Sequence, residues 1–336
     1  MQTPHSSIAS CRRRALLRLA GLAAAVGPTA FATSVRAQSA PTLKIIVGYP
    51  AGATSDALAR VVAEHMAATL KQPVIVENKV GAGGRIANEL VKAAPPDGST
   101  LLMTPVATMS IFPHSFAGQL RYDPFKDFAP VAHLSNFQLG WGVANAVPAR
   151  TLAEYVAWVK TDAAKNGFYG SAAPGSIPHF FGVMFGRTAG ITLTHVPYKG
   201  TAAAMQALAG GEITALSTVA ADIRALVQAD RARLLAVAGD VRDPTFANVP
   251  TFKEQGFDLV AKPWYGLFAP AGTPPAALER LSKAAMAAVA DPAVAKRVVD
   301  MGLAPTGGGA DMLAAALKTD YERWGPVIRA SGFKPE

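Results

Sequence analysis

An α/β fold, with parallel or mixed sheets flanked by helices, is what this 336-residue chain predicts, and three observations carry that prediction. From Leu43 onward, short β-branched runs alternate with stretches whose apolar residues recur at helical steps. Such alternation lays helices over both faces of a largely parallel sheet. The first run leads through Gly48-Tyr49-Pro50-Ala51-Gly52-Ala53 straight into a helical pattern, the strand–loop–helix order of that class. The stretch from residue 38 onward is also long for one core, so two lobes are expected.

Taken in order, strands are expected at 43–47, 74–77, 101–104, 131–134, 193–196, 213–216 and 234–238. The helix after the first loop carries Leu58, Val61, Val62, Met66 and Leu70 on one face. Another carries Leu152, Tyr155, Val156 and Val159, opened by Thr151 with Glu154 three positions later, a capping-box pattern. The final stretch reads as purely helical, over 275–290, 292–301 and 309–330. Its last helix repeats Leu313, Leu317, Tyr321 and Trp324 on one side. Packed back against the first lobe, that helix makes the lobe discontinuous. The chain is expected to cross between lobes at 136–145 and 262–268, giving one lobe of 38–140 plus 263–336 and a second of 141–262.

Residues 1–37 stand outside this fold. Arg12, Arg13, Arg14 and Arg18 lead into an apolar run from Leu19 to Ala32, and Val35-Arg36-Ala37 suits a small-residue cleavage site. The run is interrupted by Gly27 and Pro28 and is too short to span a bilayer. A cleaved export signal ending at Ala37, and hence a periplasmic protein, is the expectation; Arg13-Arg14-Ala15-Leu16-Leu17-Arg18 is similar to a twin-arginine signal. The single cysteine, Cys11, falls inside it, so the remainder has no thiol for disulfides, nucleophilic catalysis or metal ligation. Five of the 32 basic residues and none of the 23 acids also fall there, leaving 27 against 23. No basic stripe interleaves with aromatics, which argues against nucleic acid. The mild positive balance suits a small anionic ligand.

Two loops carry the chemistry. The first, from Tyr49 through Gly52, Ala53, Thr54 and Ser55 to Asp56, leaves backbone N–H groups unpaired at the positive end of a helix dipole. The second, Tyr169 to Ser176, includes Ser171, Ala172, Gly175 and Ser176 and opens the helix through Phe180, Val183 and Met184. Two such loops facing each other would hold a carboxylate and release it unchanged. Asp56 reads either as an acid favoured in a helix first turn or as a partner for a donor group on the ligand, since a carboxylate would repel it. Ser176 can cap its helix while the helix end still presents free N–H groups. Lys199 reads as a ligand-pairing charge or a solvated loop lysine. Tyr49 and Tyr198 would wall the pocket, and Trp264 and Tyr265 either do the same or pack the crossing. His179 reads as a cleft, core or surface residue.

Other chemistries are excluded. The six histidines form no i, i+4 pair, so no metal site is expected. Gly81-Ala82-Gly83-Gly84 imitates a dinucleotide loop, but Ile86 stands where the third glycine belongs, and a tight turn with close packing is the better reading. Neither a nucleophile elbow nor a phosphate loop occurs, so no catalytic residue and no cofactor are assigned, and the chain is not read as an enzyme.

Over nearly its whole length past the signal, the chain resembles the extracytoplasmic solute receptors of tripartite tricarboxylate transporters, called Bug proteins. The likeness rests on Tyr49-Pro50-x-Gly52-x-x-x-Asp56, Val76-Glu77-Asn78-Lys79-x-Gly81-Ala82-Gly83-Gly84 and Pro96-Asp97-Gly98-x-Thr100-Leu101-Leu102. It continues through Tyr122-Asp123-Pro124-x-Lys126-Asp127-Phe128, Tyr169-Gly170-Ser171-Ala172, His195-Val196-Pro197-Tyr198-Lys199-Gly200 and Trp264-Tyr265-Gly266-Leu267-Phe268-Ala269-Pro270. The resemblance implies a two-lobed, type II-like periplasmic binding protein that closes on a small carboxylate and delivers it to membrane transporter subunits. The alternative is a periplasmic sensor that passes ligand occupancy to a signalling partner. Some positions depart from the family. The usual Pro-Pro-Gly-Gly is Pro50-Ala51-Gly52-Ala53 here; Pro105, Val106 and Ala107 replace polar residues; Thr214 and Thr218 replace acids; and Pro174 enters the second loop. A less polar pocket follows, pointing to an aromatic or hydrophobic acid.

Overall fold

The computed structural model describes residues 41–335; the export-signal reading of 1–37 lies outside them. Eleven strands form among the described residues: Leu43–Val47 (β1), Val74–Asn78 (β2), Thr100–Pro105 (β3), Phe128–Asn136 (β4), Leu139–Ala144 (β5) and Phe168–Ser171 (β6), then Thr194–Pro197 (β7), Ala215–Val219 (β8), Ala232–Val237 (β9), Trp264–Pro270 (β10) and Ala304–Gly308 (β11). They make two sheets, ordered β11-β4-β10-β3-β1-β2 and β7-β6-β8-β5-β9. In the first, β2, β1 and β3 run parallel, while β10 is antiparallel to both β3 and β4. In the second, β7, β6 and β8 are parallel, and β5 is antiparallel to β8 and β9. Mixed sheets covered by helices therefore replace the purely parallel pattern that alternation alone suggests.

Each sheet is apolar because both faces are covered. Leu43, Ile45, Ile46 and Val47 of β1 are buried, and the helix Thr54–Leu70 turns Leu58, Val61, Val62 and Met66 onto that sheet. The helix Ala310–Ser331 lies along β4 with Leu313, Leu317, Trp324 and Ile328 inward, so the C-terminal helix joins the first sheet. Thr151 accepts a hydrogen bond from the Glu154 amide, the expected cap of Leu152–Thr161.

All seven expected strands form, with ends moved by up to three residues. The reading of the C-terminal stretch as purely helical is corrected: β11, Ala-Pro-Thr-Gly-Gly, pairs antiparallel with β4 between two helices. A strand of proline and glycine at a sheet edge has little local propensity and forms because β4 offers it an open edge. Phe137 and Gln138 alone link β4 in the first sheet to β5 in the second, and 238–263 return the chain from β9 to β10.

In the second lobe, Tyr169 is fully buried and its hydroxyl donates to the His179 carbonyl at 2.7 Å. Gly182, on the helix Ile177–Ala189, lies directly over that ring; a Cβ there would sit 2.1 Å from Tyr169 Cε2. Gly182→Ala should lower the urea midpoint, with a stability loss of about 1–3 kcal/mol from overpacking. An unchanged midpoint would show that the ring has room to shift.

Candidate functional site

The cleft is built from helix N-termini. At the first, Gly52 has φ +84°, which turns the chain so that its amide donates to Asp56 Oδ2 at 2.9 Å. Ala53 caps the helix Thr54–Leu70 without any side-chain bond, leaving the amides of Thr54 and Ser55 free at the positive end. The loop is held from below. Asn78, at the end of β2, donates to the Tyr49 carbonyl (3.0 Å) and to Asp56 Oδ1 (2.8 Å), and Tyr49 Oη donates to the Gly83 carbonyl at 3.1 Å. A Cβ on Gly48 would meet Gly84 Cα at 2.6 Å, and Gly81, Gly83 and Gly84 all have positive φ, so close packing and a tight turn account for the glycines here.

The second N-terminus belongs to Ile177–Ala189, capped by Ser176, whose Oγ accepts from the His179 amide and donates to the Ala173 carbonyl at 2.7 Å. A third, not foreseen, belongs to Thr201–Gly210, where Gly200 at φ +102° provides no side-chain cap. Its amide bonds the Ala172 carbonyl at 2.8 Å, tying it to the second loop.

These three ends meet at a cavity of about 300 Å³ lined by Tyr49, Ala53, Thr54, Ser55, Ser176, Ile177, Pro178 and Thr201. Its floor is Phe137 of the inter-sheet link and Tyr265 at the start of β10, with ring centroids 5.2 Å apart. Pro105, Ala107, Val219, Ala221, Asp222, Met301 and Leu303 complete it. No Lys, Arg or His lines this cleft among the described residues. A larger cavity of about 460 Å³ lies beyond Phe137 and Leu303, walled by Gln138, Val241, Lys262 and Pro305 among others. Neither of the two expected loops reaches it, so the smaller cleft is the candidate site.

Of the expected site residues, Tyr49, Ala53, Thr54, Ser55 and Ser176 line the cleft, and the others do not. Asp56 is turned inward and buried: it accepts from Gly52, Asn78 and Arg60 (Nε, 3.0 Å). Burial opposes its ionisation, but the bonds from Arg60, Gly52 and Asn78 outweigh that and hold it down to about 2. Asp56 therefore shapes the loop through donors of its own chain. Gly52 serves the turn. Ser171 is fully buried, with Oγ 2.7 Å from His195 Nε2. Ala172 is used in the bond to Gly200. Gly175, at φ +70°, donates to His179 Nδ1 at 3.0 Å, and a Cβ there would press on Phe333. His179 is thus a core residue, stacked on His195 at 3.8 Å. Tyr198 packs beside Gly170, and Lys199 is exposed. Tyr265 lines the cleft, whereas Trp264 is buried and donates to Asp320 Oδ2 at 2.8 Å.

Thr201 and Asp222 are the polar cleft residues that sequence reading missed; Phe137, Ile177, Pro178, Val219, Ala221, Met301 and Leu303 are apolar ones it also missed. Gly200-Thr201 before an alanine-rich run was a usable helix-start signal; Asp222 had none. Pro105 and Ala107 do form part of the wall, so the cleft is largely apolar apart from its helix ends.

Two α/β lobes joined by Phe137–Gln138 and by the 238–263 return, with helix ends of both meeting over one cleft, define a two-lobed solute-binding protein. Residues 58–333 match the tripartite tricarboxylate transporter family receptors, and the chain belongs to that family, the one its motifs resemble. A Cupriavidus necator protein encoded in the gbd 5′ region is 33% identical over 278 residues, 81% of this chain and 84% of its own length. Among solved structures, MatC from Rhodopseudomonas palustris with bound malate is 30% identical with TM-score 0.73, covering 85% of this chain and 98% of that one. A second R. palustris protein, solved with adipate, is 26% identical with TM-score 0.77, covering 88% and 98%.

Proposed function

We propose that this chain is an exported, periplasmic receptor that captures a small carboxylate between its lobes, closes on it and presents it to a tripartite tricarboxylate-type membrane transporter. It releases the ligand chemically unchanged. One observation carries this reading: three helix N-termini converge on a cleft that has no cation. Amides of Thr54, Ser55, Ser176 and Thr201 are the donors in this reading, and anion binding then rests on oriented backbone dipoles. Closure would exclude water and strengthen those bonds, and a ligand drives closure only by binding the closed form better. That two relatives were solved with malate and adipate supports a carboxylate ligand.

The apolar wall of Pro105, Ala107, Val219, Met301 and Leu303 favours an aromatic or hydrophobic acid over a compact hydroxylated one. A thermal-shift screen of carboxylates tests both levels, because occupancy raises stability by mass action. Benzoate-like or long-chain acids should raise the midpoint more than citrate. A larger shift with citrate would overturn the preference, and no shift with any carboxylate would overturn the receptor. X-ray scattering on the best ligand should show compaction.

A further inference from the structure

Among the described residues, the one charged side chain lining the cleft, Asp222, has the wrong sign for a carboxylate ligand. Asp222 lies in the turn after β8, where its amide bonds the Val219 carbonyl at 3.0 Å, and it lines the same cavity as the Thr54 and Ser55 amides. Among the described residues no Lys, Arg or His forms an ion pair with it. Tyr265 of β10 and Tyr49 line the same cavity; burial raises both hydroxyls, with Tyr49 and then Asp222 adding to the rise at Tyr265, so both phenols stay neutral. Thr218 of β8 is the neighbouring hydroxyl whose influence favours the ionised form. Arg224, two residues on, has its guanidinium beside Gly302 and does not line the cavity. On the helix Pro292–Asp300 leading to Met301, Lys296 pairs with Asp300 and Arg297 with Glu64, and none of these side chains lines it either. Burial, only partly offset by Thr218, raises Asp222 to about 6 in the empty cleft.

A carboxylate ligand and an ionised Asp222 cannot share so small and apolar a space without a cation between them, because two like charges there push one group to take a proton. We propose that Asp222 binds one proton from solvent when the anion enters and donates it in a hydrogen bond to an oxygen of the ligand. This rests on the carboxylate-receptor reading. The balance is simple: anion plus solvent proton plus aspartate gives a complex with the proton on Asp222 Oδ and the ligand still anionic. Asp222 thereby becomes a specificity residue, selecting acids with an acceptor oxygen within reach of β8 and tying capture to pH. A ligand bearing a cationic nitrogen at that end would instead bind the ionised form and take up nothing.

Calorimetry on the mature protein tests this, using whichever of malate, adipate and benzoate binds most tightly, in two buffers of different ionisation enthalpy at pH 7.5. The expected results are uptake of about one proton per ligand and an affinity roughly tenfold weaker at pH 7.5 than at 6.5. Asp222→Asn, a neutral isostere that keeps a donor, should bind more tightly than wild type at pH 7.5, with no proton uptake and a flat pH profile. Tight binding without proton uptake in wild type would overturn the proposal and leave the receptor reading intact, as would an Asn variant that still takes up a proton. Binding of none of the three acids at any pH would count against both.

Discussion

Asp56→Ala should cost about 2–3 kcal/mol of stability and weaken carboxylate capture roughly 10–100-fold, although Asp56 never faces the cleft. The carboxylate is buried and holds three donors: the Gly52 amide, Asn78 Nδ2 and the Arg60 guanidinium. Removing it strands the Gly52 amide and the Asn78 amide inside the loop, whereas Arg60, half exposed, can turn to solvent. The Ala53–Ser55 segment is then free to rotate, and the N–H groups aimed at the cleft lose their common direction. Asp56→Asn should do about half this damage, because one oxygen can still accept from Gly52 or Asn78. The pH dependence supplies a second arm. Since folding depresses this carboxyl to about 2, its stabilisation is present above its ordinary value near 4 and is lost as pH falls through that interval. Wild type and Asp56→Ala should therefore converge in urea stability near pH 2 and differ fully at pH 7. Equal stability and equal affinity at pH 7 would remove Asp56 from any role in shaping the loop.

The same residue shows what sequence reading can and cannot reach. That Tyr49 to Ser55 form a strand–loop–helix junction is local chemistry, and it is legible because each residue's neighbours in sequence are also its neighbours in space. The direction of the Asp56 side chain is decided by Asn78, 22 residues away, and by Arg60. β5 escaped notice for a comparable reason. A Cβ on Gly142 would sit 2.2 Å from Ile223, and one on Gly140 2.6 Å from Leu234, so its glycines make room for side chains from distant segments while removing its own strand propensity. Asp222 becomes a cleft residue only because the inter-sheet link brings Phe137 and Tyr265 opposite β8. Thr201 differs: a glycine before a threonine and an alanine run is readable locally as a helix start.

Acid should dismantle the second loop before it unfolds the rest. His179 and His195 are stacked with ring centroids 3.8 Å apart and planes inclined by only 16°. Burial lowers His179 to about 4; burial and then the neighbouring ring lower His195 to about 3. Both are neutral in the folded protein at pH 7, and Gly175 needs a bare His179 Nδ1 to accept its amide hydrogen. The unfolded chain takes these protons near pH 6.5, so the contribution of the stack is complete above that value and drains away as pH falls to about 4 and then 3. Urea stability should drop by several kcal/mol between pH 7 and 4. His195→Gln, which keeps a partner for Ser171 and leaves one imidazole to charge, should flatten much of that slope. The remainder comes from His179 itself, from His133, held at about 4 by burial beside Thr306, and from His114, also lowered by burial. The Asp222 proton strengthens capture as pH falls toward 6, while protons on the stack loosen the Gly175–Ser176 turn below it. Affinity should therefore pass through a maximum in mildly acidic solution. His195→Gln should extend its acid side, and a wild-type slope that is unchanged in His195→Gln would show that the stack is not the acid-sensitive element.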